Sequence, residues 1–227
     1  MSKLQDKLLT VGASIKKYAL RHKRKPADIQ LLAVSKRQPT EMIEEAFHLG
    51  QKSFGENYVQ ELLEKSEQLS HLDIEWHFIG PLQSNKTKKI AEFVDWVHTI
   101  DRLKIATRLS EQRPENLPPL NICIQVNVSN EESKSGVKMD EVEALAQEIV
   151  KLPRLKLKGL MTIPAPETNF YEQCLVLAKL TRLKRELNDN GFNLDTLSMG
   201  MSNDMEAAIK EGATIIRIGT AIFGSRA

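Results

Sequence analysis

The chain has only two cysteines in 227 residues. Cys123 lies in NICIQVNV and Cys174 in YEQCLVLAKL, both apolar periodic segments. Buried free thiols are therefore expected, rather than a disulfide or a metal site, and a reducing cytoplasmic setting fits. No run of about 18 apolar residues occurs, which excludes a membrane-spanning helix. The opening MSKLQDKLLTVGASIKK lacks a long apolar core and a cleavage site, so no signal peptide is expected. An excess of one charge is also missing. The formal net charge of +2 gives no drive towards nucleic acid or a membrane surface. His22, His48, His71, His77 and His98 share no ligand spacing with cysteine or carboxylate, so no metal site is expected.

What is present is ordinary in bulk and ordered in pattern. Hydrophobic residues make up 41% and charged residues 27%, as in soluble globular proteins. Leu4, Leu8, Val11 and Ile15 fall at helical spacing behind a capping box from Ser2 to Gln5. This first helix ends in the basic RHKRK, read as a solvated helix end suited to the macrodipole rather than as a nucleic-acid patch. After it, strand-like runs alternate with amphipathic helices: IQLLAVS, KSFG, EWHFIG, DWVHTI, LNICIQVNV, LKLKGLMTI, DTLSMG and TIIRIGT. Gly50, Gly191 and Gly212 close helices, and Asp101 and Asp140 stand where N-caps belong, with Glu143 completing a box on Asp140. Such alternation implies an α/β chain of parallel strands joined by right-handed crossovers. Eight strands make a closed (β/α)8 TIM barrel with an additional N-terminal helix the most economical fold, as one domain over residues 1–227. A doubly wound open sheet is the alternative, weakened because no glycine-rich dinucleotide fingerprint follows the first strand.

In such a barrel the working residues belong at the strand C-termini. Lys36 ends the first strand, and lysine is rarely buried. It either snorkels into water there or is placed for chemistry. Asn57 and Tyr58 follow the second strand, Gln83, Ser84 and Asn85 the third, and Asn127, Ser129 and Asn130 the fifth. The loops after strands seven and eight are the usual phosphate seat of this fold. Here they carry Ser202, at the start of SNDMEAAIKEG, and Gly219 with Thr220. A serine N-cap and a glycine that admits backbone amides suit an anion, although each also serves as a plain cap and a plain turn.

Alternation places Ile215, Arg217 and Gly219 on one strand face, and Leu32, Val34 and Lys36 on one face of the first strand. With those faces inward, Arg217 lies below the phosphate seat and near Lys36, since strands one and eight are neighbours in a barrel. Two buried cations need an acceptor between them, and no acidic residue ends either strand. A ligand with a phosphate, a ring acceptor for arginine and an aldehyde for lysine answers this pattern. Pyridoxal 5′-phosphate (PLP) is such a ligand. An arginine at the ring nitrogen keeps it unprotonated and disfavours carbanion chemistry.

The stretches AVSK, FGENYVQE, WHFIGPLQSNK, HTIDR, SKSGV, GLMTIPAP, LSMGMSNDMEAAI and RIGTAIFG together resemble the pyridoxal phosphate homeostasis protein family. The resemblance runs from LLAVSK to IFGSRA. It implies a barrel like the N-terminal domain of alanine racemase, with PLP held as an imine on Lys36. It further implies Arg217 at the ring nitrogen, Ser202, Gly219 and Thr220 at the phosphate, and Asn57 beside the ring. The expected role is control of free cofactor inside the cell, with indirect effects on amino-acid and keto-acid pools, rather than turnover. PLP is the expected ligand, apo PLP-dependent enzymes are candidate recipients, and a monomer is expected. The alternative is a racemase-like enzyme. It needs a second base opposite Lys36. Tyr58 reads as a rim residue and His77 as a core histidine, and only AIFGSRA follows Thr220, which leaves no room for the racemase β domain. An interaction adaptor using RHKRK is a third reading.

Overall fold

The structure is a computed structural model that describes residues 2–129 and 135–224. Eight parallel strands close a barrel in the order of the sequence. They are β1 Gln30–Val34, β2 Ser53–Glu56, β3 Glu75–Phe78, β4 Trp96–Ile100, β5 Leu120–Gln125, β6 Leu155–Met161, β7 Thr196–Ser198 and β8 Ile215–Ile218. Closure is carried by β1 against β8, with Leu32 opposite Arg217. A closed sheet leaves no edge to protect. The barrel and its extra N-terminal helix therefore match the expectation, and the open sheet is excluded.

Helix α1, Lys3–Arg21, precedes the barrel, and α2 Thr40–His48, α3 Val59–Gln68, α4 Thr87–Phe93 and α5 Leu103–Gln112 follow the first four strands. The rest of the ring is α6 Val142–Ile149, α7 Phe170–Asp189, α8 Met205–Lys210 and α9 Thr220–Phe223. Outward strand residues such as Phe54, Phe78, Ile122, Ile124, Ile216 and Ile218 pack beneath these helices in one continuous core. Inside the barrel, Leu32, Val34, Ile79 and Ile215 form one small apolar group, and Trp96, Cys123 and Met161 another. Both cysteines are buried and free, as their contexts predict. Among the described residues no helix is long and apolar enough to cross a membrane.

Several local expectations need correction. Ser2 does accept from the Gln5 amide at the start of α1. Asp101, however, pairs with Arg102, and α5 starts from Arg102. Asp140 sits within a short 3-10 turn, and Glu143 receives the Asn190 side chain rather than boxing Asp140. The basic end of α1 is more than a solvated terminus. Arg24 donates to the Ile209 and Ala213 carbonyls at 2.9 and 2.5 Å, and Arg21 pairs with Glu206. These contacts fasten the end of α1 to α8 and the turn after it, with Arg24 part-buried and the Arg21–Glu206 pair at the surface.

Candidate functional site

A cleft of about 600 Å³ opens at the C-terminal face of the barrel. Lys36, Asn57, Ser202, Arg217, Gly219 and Thr220, the six residues assigned to a ligand, all line it, whereas Tyr58, Gln83, Ser84, Asn85, Asn127 and Ser129, also expected at this face, do not. Val34 and Ile79 supply apolar wall. Asn130 lies outside the described residues.

Each side chain reaches the cleft for a local reason. β1 ends at Val34, so Lys36 does not end the strand as expected but lies two residues beyond it, in the turn, where it lines the cleft together with Val34. It is half-buried rather than fully buried. Asn57 follows β2, and its backbone is pressed against Gly80 so closely that a Cβ there would sit 1.9 Å from the Asn57 carbonyl oxygen. Glycine in the turn after β3 is thus what lets Asn57 lie where it does. The Asn57 Oδ1 is buried and has no hydrogen-bond partner among the described residues. A buried acceptor in that condition is costly unless a ligand or water completes it.

The loops after β7 and β8 differ in detail from the sequence reading. Ser202 is exposed and lies in the turn before α8, while Asp204 occupies the N-cap position without a side-chain bond to the helix. The Asp204 carboxylate instead closes the turn by accepting from the Met201 amide at 2.6 Å. Gly200 takes φ +95°, and a Cβ there would meet the Ala208 methyl at 2.4 Å, so the loop passes tightly over α8. Its carbonyl accepts from the Arg217 amide at 3.0 Å, which ties this loop to β8. Gly219 sits against the Val34 carbonyl and starts α9, whose first amides precede any intrahelical acceptor.

Arg217 is 4% exposed. Its Nη1 donates to Ser198 Oγ and its Nη2 to the Thr162 carbonyl, both at 2.8 Å. The expectation that two buried cations must share a ligand is therefore corrected, since Arg217 finds neutral oxygens of its own. Burial pulls its pKa down to about 10, with Asp204 opposing, so it stays a cation at neutral pH.

Behind Arg217 runs a chain that sequence reading missed. Ser198 Oγ lies 2.8 Å from His98 Nδ1, His98 Nε2 lies 2.8 Å from His77 Nδ1, and His77 Nε2 lies 3.0 Å from Glu75 Oε2. Arginine can only donate and a carboxylate only accept. With one proton on each imidazole, a single order satisfies every link: Arg217 to Ser198, Ser198 to His98, His98 to His77, His77 to Glu75. His98 is fully buried, and burial, then His77 and Arg217, push its pKa well below the usual histidine range, so it is neutral. His77 is a core histidine, as read. The available signal was that Glu75, His77 and His98 occupy inward positions on adjacent strands.

Glu75 ends the chain at the opposite face, where Ser53, Gln30 and Trp96 also donate to it. The His77 bond, against the cost of burial, lowers its pKa to about 2. A carboxyl whose folded pKa is depressed adds stability above its ordinary value and loses it as pH falls towards the folded one. Glu75→Gln is therefore expected to flatten the loss of stability between about pH 4.5 and 2. Denaturant midpoints taken across that range check this, and equal slopes in the two proteins would contradict it.

Known proteins resemble this chain in sequence and fold along its length. The family model for the alanine racemase N-terminal domain matches residues 15–227. The pyridoxal phosphate homeostasis protein of Pseudomonas aeruginosa is 54% identical over 226 residues, covering 100% of this chain and 97% of that one. Its counterpart in Escherichia coli strain K12 is 52% identical over 229 residues, covering 100% and 98%. Among solved structures, PipY of Synechococcus elongatus with PLP bound is 35% identical at a TM-score of 0.84, covering 98% of this chain and 100% of that one. An alanine racemase from Clostridium difficile 630, at 14% identity and a TM-score of 0.76, shares the fold over 56% of its own length. Half-identical relatives along the whole chain and a family model over most of it lead to one assignment: the chain belongs to the alanine racemase N-terminal domain family, among the pyridoxal phosphate homeostasis proteins.

Proposed function

We propose that this protein binds PLP in the cleft as an imine on Lys36 and holds it as a buffer and carrier from which apo-enzymes draw cofactor. The observation that carries the reading is the convergence of six residues of matching chemistry on one cleft, with the buried Asn57 Oδ1 left for a ligand to complete. The relatives' names and the PLP-bound PipY structure support it. The residues present fit the group.

When bound, PLP supplies an aldehyde that condenses with a primary amine. Lys36 offers that amine at the rim of β1. Arg217 offers a fixed guanidinium that donates and cannot accept, so it favours a ring nitrogen without a proton. Ser202, the amides after Gly219, and Thr220 line the part of the cleft where a phosphate belongs. Val34 and Ile79 exclude water from one side.

The racemase reading requires a second acid–base group opposite Lys36. Tyr58 is 47% exposed under the Arg37 guanidinium, and His77 is closed inside the barrel between Glu75 and His98. Neither lines the cleft. Titration of the protein with PLP is expected to raise a visible imine band at stoichiometric cofactor, while incubation with single amino-acid enantiomers leaves their configuration unchanged. A protein that takes up no PLP would overturn the proposal. Steady racemisation would replace the carrier with an enzyme.

A further inference from the structure

Beneath the rim of β1 and β2 lies a buried ion triad whose side chains take no part in lining the cleft. Lys65 of α3 is 5% exposed, and its Nζ donates to Glu56 Oε1 at 2.8 Å and to Glu61 Oε1 at 2.6 Å. The same ammonium donates to the Ser35 carbonyl at 2.7 Å, and Ser35 Oγ donates to Glu56 Oε1 at 2.7 Å. On the other side of Lys36, the Arg37 amide donates to Glu61 Oε1. Arg37 is left-handed, with φ +59°, a conformation that a side chain with a Cβ takes only when its surroundings hold it there.

The two residues that flank Lys36 are thus fastened, one by its carbonyl and hydroxyl and the other by its amide, to three charges from β2 and α3. A buried ion group of this kind does no more for stability than apolar residues of equal volume. What it supplies here is geometry. A lysine side chain has four rotatable bonds, so the direction in which it leaves the backbone decides where its nitrogen can reach.

We propose that Lys65, with Glu56 and Glu61, is a positioning device that sets the backbone on both sides of Lys36 and so presents its amine to an aldehyde in the cleft. This rests on the reading of Lys36 as the imine-forming residue. None of the three lines the cleft. They act through Ser35 and Arg37.

The test uses Glu61, whose side chain is 22% exposed, because without it Lys65 still has Glu56 Oε1 and the Ser35 carbonyl as acceptors. Two ligands are titrated against wild type, Glu61→Ala and Glu61→Gln. PLP carries the aldehyde, and pyridoxine 5′-phosphate shares its ring and phosphate but forms no imine. Glu61→Ala is expected to weaken PLP about tenfold and slow the rise of the imine band, because small displacements of a reacting group are costly. Pyridoxine 5′-phosphate affinity stays within about twofold of wild type. Glu61→Gln, which keeps an oxygen for the Arg37 amide, is expected to recover most of the lost affinity. Equal weakening of both ligands, or no weakening of either, would overturn the proposal and leave the triad a purely structural feature. A wild type that binds both ligands equally and shows no imine band would remove the role of Lys36, and the proposal with it.

Discussion

Lys65→Met is expected to lower the stability of this protein by about 3–5 kcal/mol, the usual cost of breaking a buried ion pair by removing one partner. Methionine fills a similar volume, so packing is largely kept and the loss is electrostatic. Glu56 is 0% exposed, and without Lys65 its Oε1 retains only the Ser35 hydroxyl. Its Oε2 already lacks a partner among the described residues. In the wild type, burial, against the pull of Lys65, holds the Glu56 pKa above the usual carboxylate range. Removing the ammonium raises it further. A carboxyl with a raised folded pKa favours the folded state at low pH and loses that contribution as pH rises through the folded value. The variant should therefore become less stable, relative to wild type, as pH rises from about 4.5. Adding Glu56→Met to Lys65→Met is expected to restore much of the stability, because the orphaned charge is then gone. Urea denaturation of the three variants across pH measures this. A Lys65→Met protein as stable as wild type would show that the triad is weakly coupled to the fold.

Arg217→Met is expected to do the reverse, costing binding far more than stability. The guanidinium is desolvated and its two hydrogen bonds go to neutral oxygens, so replacing it with an apolar chain of similar length removes an expensive charge along with its contacts. Thr162 loses a donor to its carbonyl, and Ser198 loses one of its partners. A net change of about 1 kcal/mol in stability is expected from these opposing contributions. A hydrogen bond from a cation to a ring nitrogen is worth about 1.5–3 kcal/mol, which corresponds to about 10- to 150-fold in affinity for PLP. Thermal midpoint and PLP titration read the two effects separately. A variant that unfolds readily yet binds PLP at wild-type affinity would place Arg217 in the frame and away from the ligand.

The outline of the fold was legible because it depends on local pattern. Apolar runs such as IQLLAVS and TIIRIGT alternate with helices at the 3.6 period, and both signals survive in a single sequence. The inward face of β1 and β8 followed from alternation alone, which is why Lys36 and Arg217 could be assigned to one cleft from the sequence. Details set by tertiary partners were not legible. Asp101 and Asp140 look like caps, yet Asp101 is drawn to Arg102, and the N-cap position of α8 falls to Asp204 rather than Ser202. Lys65 stands one helical turn from Glu61, a spacing common to surface ion pairs, and only the approach of β1 and β2 makes it a buried hub. The chain from Arg217 to Glu75 needs four strands in register before its links exist. Arg24 shows the same limit, since nothing local distinguishes it from the solvated charges beside it.

The proposed role of Lys36, two residues beyond β1, is to hold an aldehyde. Borohydride reduction of the PLP-loaded protein, followed by peptide mapping with mass spectrometry, tests it most directly. A single major adduct of one reduced PLP on the peptide containing Lys36 is expected. A label carried chiefly by another lysine, or a PLP complex that reduction fails to lock onto the chain, would contradict it.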